Sequence, residues 1–95
     1  MKAIIVNTHE EISALNNAIT PLMLSAGQIM ERWVDAEQCP INSQTGEIAI
    51  ITEATGTRRE IIEKYIQDNG LVEVEISQDD ENWFPKIDIK DGQTN

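Results

Sequence analysis

Residues 71–77, LVEVEIS, alternate without a break: Val72, Val74 and Ile76 form one set, Glu73 and Glu75 the other. A period of two marks a strand with unlike faces, so the chain must build a sheet with one face turned to a core. Residues 84–90, FPKIDIK, repeat the pattern with Ile87 and Ile89 inward and Lys86, Asp88 and Lys90 outward. A turn near Asp80–Glu81 would make these two runs an antiparallel hairpin in which Glu75 faces Lys86. Pro85 has no N–H to give to a ladder, which puts the last strand at a sheet edge.

Two helices are needed to cover such a sheet, and two are written in the chain. In NTHEEISALNNAIT, Thr8 can cap the first turn while Glu11 reaches back to the cap, and Ile12, Leu15 and Ile19 form one stripe. Pro21 disfavours the helical conformation at Thr20, so this helix is expected to stop there. Thr57 and Glu60 repeat the capping pattern ahead of Ile61, Ile62, Tyr65 and Ile66, and Gly70 suits a left-handed terminator.

The remaining strands are short. KAIIV, residues 2–6, reads as a buried strand, and EIAIIT, residues 47–52, follows the turn formers Pro40, Asn42, Ser43 and Gly46. Residues 21–38 are ambiguous. Leu22, Ala26, Ile29 and Trp33 fit a helical stripe, but a loop through Gly27 followed by a strand over 29–35 is preferred, and it would pair with 47–52. The order is then β-α-β-β-α-β-β. This is an α+β domain with two helices on one face of a mostly antiparallel sheet, a ferredoxin-like plan with an extra C-terminal edge strand. Residues 1–90 make the single domain, the far sheet face stays largely wet, and residues 91–95 are a polar tail.

Composition narrows the function. Seventeen acidic residues against seven basic ones leave a net charge of −10. Such a surface is poorly suited to phosphates or to an anionic membrane, so neither direct nucleic-acid binding nor membrane binding is expected. Basic or neutral proteins are the suitable partners. The apolar run Ala3–Val6 is far too short for a signal peptide or a span, and one cysteine, Cys39, allows no internal disulfide. A cytoplasmic setting is expected.

Each chemically suggestive group has a plainer alternative. Asp79, Asp80 and Glu81 are consecutive and lack the alternate spacing and glycine of a calcium loop, so they read as a charged tip that keeps an edge wet. His9 has no second histidine to complete a metal set and sits at a helix start. No nucleophile, base and orienting group are visible together, and no phosphate-cradling loop appears; an enzyme, a metal site and a cofactor are therefore not expected. Arg58 and Arg59 lie in a helix first turn, where the dipole disfavours cations; a solvated helix start is the preferred reading, and an ion pair with a strand acid or a partner contact is the alternative. Trp83 falls on the inward parity, and Phe84 falls outward beside Pro85 as a candidate contact.

Two segments, IVNTHEEISALNNAI and ERWVDAEQCPINSQTGEIAI, together resemble small proteins that tailed phages encode near structural genes. In those proteins an xxNTxEEAxxxNxxI opening precedes an [RW]-[YW]-A-[DE] strand. The resemblance covers roughly half the chain. It implies a phage accessory or virion-associated role, in the host cell or the virion, with no catalytic residues to carry over.

The expected function is a non-enzymatic protein–protein interaction module that forms a small homo-oligomer and binds through the C-terminal hairpin and sheet edge. Phe84, Trp83, Asp79, Asp80 and Glu81 are its partner-binding residues. The competing reading is an acidic inhibitor that imitates DNA, with Glu73, Glu75, Asp79, Asp80, Glu81 and Asp88 displayed on one face.

Overall fold

The computed structural model describes residues 1–77 and 79–84. The elements are β1 (Lys2–Val6), α1 (His9–Ser25), a 3-10 turn at Ala36–Gln38, β2 (Ile41–Asn42), β3 (Ile48–Ile51), α2 (Gly56–Asp68), β4 (Glu73–Glu75) and β5 (Trp83–Phe84). They form an α+β domain in which two helices pack on an antiparallel five-stranded sheet of order β4-β1-β3-β2-β5. β1 and β2 flank β3, as a split βαβ arrangement requires.

α1 starts where Thr8 and Glu11 indicate: the Glu11 carboxylate accepts the backbone N–H groups of Asn7 at 3.0 Å and Thr8 at 3.2 Å. It does not stop at Thr20. The helix runs through Pro21 to Ser25, and Met23, fully buried, extends the stripe of Ile12, Leu15 and Ile19 by another turn. Proline costs the carbonyl four residues back its donor, and here that residue, Asn17, is on the exposed side where water can replace the bond. The alternative stripe through Leu22 and Ile29 is the exposed side, with Ile29 96% accessible.

Residues 29–35 are not a strand. Their backbone is held by α1 instead: Asn16 Oδ1 accepts the N–H groups of Trp33 and Val34 at 2.7 and 3.1 Å, and Asn16 Nδ2 donates to the Val34 carbonyl at 2.8 Å. Thr20 Oγ1 donates to the Glu31 carbonyl. These side chains satisfy backbone groups that a neighbouring strand would otherwise have to meet. The partner of β3 is therefore the short β2, not residues 29–35.

α2 begins at Gly56, at φ +64°, with Thr55 as its N-cap, so Thr57 and Glu60 lie inside the helix rather than forming its cap. Its stripe is as expected, with Ile62 and Ile66 buried and Ile61 and Tyr65 packed beside them, and Gly70 ends it at φ +63°.

The largest departure concerns the last two strands. β4 pairs with β1 and β5 pairs with β2, so among the described residues they occupy opposite edges and form no hairpin. Lys86 and residues 85–95, which include the polar tail, lie outside the described residues. The parity of β4 is also reversed. Ile4, whose side chain faces the helices, stands opposite Glu73, and Ala3 opposite Val74. Glu73 therefore points to the helix side, while Val72 and Val74 lie on the other face, 73% and 37% exposed.

That other face is not left wet. Ala3, Ala49, Ile76 and Trp83 make a second buried cluster there, bordered by Met1, Ile5 and Ile51. Two alanines in neighbouring central strands leave a shallow floor, and the Trp83 indole fills it.

Candidate functional site

Between β4 and β5, local hydrogen bonds fix the described residues Ser77 and Asp79–Asn82. Ser77 accepts the N–H of Asp79 on its hydroxyl and that of Asp80 on its carbonyl, both at 3.2 Å. Asp80 Oδ1 accepts the Asn82 N–H at 2.9 Å, closing a second turn. The Asn82 carbonyl then takes the Ser43 N–H at 2.6 Å, which brings β5 alongside β2.

The outcome is an open cleft of about 630 Å³ lined by Asp79, Asp80, Glu81, Trp83 and Phe84. All five residues singled out in the sequence meet there, for a different reason from the one expected. The acids are a crossover and not a hairpin tip. Trp83 is 8% exposed and belongs to the second cluster, whereas Phe84 is 59% exposed. Phe84 stands opposite Ile41, itself 39% exposed, and Ile41 stands opposite the buried Ile48. Phe84 and Ile41 thus continue the helix-side layer past its cover and form an apolar ledge beside the acids.

The other candidates fall elsewhere. Asp80 is partly committed to its own backbone turn, and among the described residues no group of three His, Cys, Asp or Glu side chains is arranged to hold a metal ion. His9 is exposed at the start of α1. Cys39 is fully buried, and desolvation, with Asp35 nearby, pushes its thiol up to about 11, the opposite of an activated thiolate.

Arg59, read as a possible ion-pair former, finds its strand acid. Its guanidinium makes two contacts to the Glu73 carboxylate, at 2.7 and 2.5 Å, and also donates to the Thr52 carbonyl at 3.2 Å. The Thr52 hydroxyl donates to the same carboxylate. Glu73 is consequently held below the usual carboxylate range, chiefly by its hydrogen bonds from Arg59. What the sequence did not reveal was that Glu73 belongs to this network, because the alternation had assigned it to water. It follows that Glu73 is not displayed with Asp79–Glu81 on one acidic face. Arg58, the neighbouring cation, lies 5.9 Å from the centre of the Trp33 ring.

Fold and site together define a small α+β domain with an apolar ledge and an acidic rim at one end of its sheet. The chain matches no family model, no curated protein and no solved structure. No described helix is long and apolar enough to cross a membrane.

Proposed function

We propose that this chain is a non-enzymatic protein–protein interaction module that binds a basic or neutral protein surface at the β5 end of its sheet. One observation carries the reading: the exposed Phe84–Ile41 ledge lies against the rim formed by Asp79, Asp80 and Glu81. A large exposed aromatic gives contact area at low entropic cost, and a surrounding charge rim selects the partner and speeds encounter. The resemblance to small tailed-phage proteins adds an accessory or virion-associated role, in the host cell or the virion. The exposed His9 and the buried, unactivated Cys39 favour binding over catalysis.

The test compares Phe84→Ala with the parent chain in affinity capture from the source cell, at low and high salt. Weakened capture with an unchanged melting temperature supports the ledge. A large loss of stability would make Phe84 a core residue and remove the reading. Binding that collapses steeply with salt would favour charge imitation of a nucleic acid instead.

A further inference from the structure

We infer that β4 is a self-association edge, at which a second copy of this chain extends the sheet in antiparallel fashion across a two-fold axis at Val74. This surface is at the opposite end of the sheet from the Phe84 ledge. β4 is an outer strand among the described residues. The Ile76 N–H bonds to the Met1 carbonyl at 2.8 Å, so Ile76, Val74 and Val72 turn their backbone groups toward β1. Glu73 and Glu75 turn theirs outward. In the register that uses both, Glu73 of one copy faces Glu75 of the other with hydrogen bonds in each direction, Val74 faces its own copy, and Val72 faces Ile76. The exposed Val72 and Val74 side chains would then be shared between two copies on the non-helix face.

Charge argues for a second copy rather than a different partner at this edge. A chain of net charge −10 repels its own kind almost everywhere, and most at the Asp79–Glu81 end. The β4 edge is where that repulsion is cancelled. Glu73 is held by Arg59, and the Glu75 carboxylate takes the N-terminal ammonium of Met1 at 2.5 Å. The two acids that would oppose one another across the axis each bring a cation with them, and the remaining contact is valine on valine. Such an edge suits an equally acidic partner, whereas a basic one has more to gain at the other end.

The test is sedimentation equilibrium of the full chain with three variants. The parent should show twice its 10.7 kDa monomer mass, with little dependence on salt. Val74→Lys places two like charges on the axis and should restore the monomer while leaving the circular dichroism spectrum of the folded chain unchanged. Val74→Cys should cross-link into dimers under mild oxidation, because facing residues of a non-hydrogen-bonded pair lie within disulfide reach and Cys39 is buried. Phe84→Ala should leave the dimer intact, which separates this edge from the proposed partner ledge. A monomer at every concentration overturns the inference. So does a dimer that survives Val74→Lys, or one that the Val74→Cys variant fails to cross-link.

Discussion

Arg59 in the first turn of α2 holds both carboxylate oxygens of Glu73 in β4, through contacts of 2.7 and 2.5 Å. The two side chains are 17% and 16% exposed, so the pair is shielded without being sealed from water. It ties an outer strand to the helix that covers the sheet. A cation in a helix first turn is mildly unfavourable by itself, and here the carboxylate offsets it.

Removing one partner should cost more than removing both. Arg59→Met is expected to destabilise the fold by about 2 kcal/mol, or about 10 °C in melting temperature for a chain of this size. The Arg59→Met/Glu73→Leu double variant should recover part of that loss, because no half-paired charge remains. Thermal denaturation of the two single and the double variants gives the coupling directly. Additive losses would show that the pair contributes no specific interaction.

Acid should weaken the same contact. The folded carboxyl of Glu73 lies below its ordinary value of 4.5, so its contribution is complete above that pH and disappears as pH falls through the folded value. Stability measured by denaturant titration should therefore decline from about pH 4.5 downward, with a shallower decline in Glu73→Gln. Identical acid limbs in the two proteins would place the titrating groups elsewhere.

Asn16 should matter more than an ordinary helix surface residue. Its amide meets three backbone groups of Trp33 and Val34, and Asn16→Ala leaves them without partners. A loss of about 1–3 kcal/mol is expected, with faster amide exchange over residues 29–35 than elsewhere in the chain. Asn16→Asp should also destabilise, since it keeps the acceptor and loses the donor.

Trp83→Ala should cost about 3–5 kcal/mol, since the indole covers Ala3 and Ala49 beneath it. Ala49→Leu should destabilise for the complementary reason, by displacing the ring. Phe84→Ala, in contrast, should change the melting temperature little. Calorimetry on all three variants checks the contrast between neighbouring aromatics that point to opposite faces.

Cys39 should be slow to react. With its thiol pushed up to about 11, and fully buried, it should resist alkylation at neutral pH until the protein is unfolded. This group also favours the folded state less as pH rises, from above its ordinary 9.0 through the folded value. Rapid labelling of the native protein by a thiol reagent would show that the site opens.

Local rules fixed what depends on near neighbours. The capping of α1 by Glu11, the stripes of both helices, the β-branched β1 and β3 and the left-handed stop at Gly70 were all legible. Each follows from interactions within a few residues. Tertiary contacts decided the rest. Pro21 sits within a helix because burial of Met23 on the next turn, together with an exposed carbonyl, outweighs one lost hydrogen bond. Residues 29–35 resemble a strand in sequence, yet Asn16 satisfies their backbone in place of a neighbour. The alternation over 71–77 specified a two-faced strand and could not say which face is which: a period of two is unchanged when inside and outside are exchanged. Arg59 drew Glu73 to the helix side, and the alanine floor beneath Trp83 drew the crossover and Ile76 onto the other.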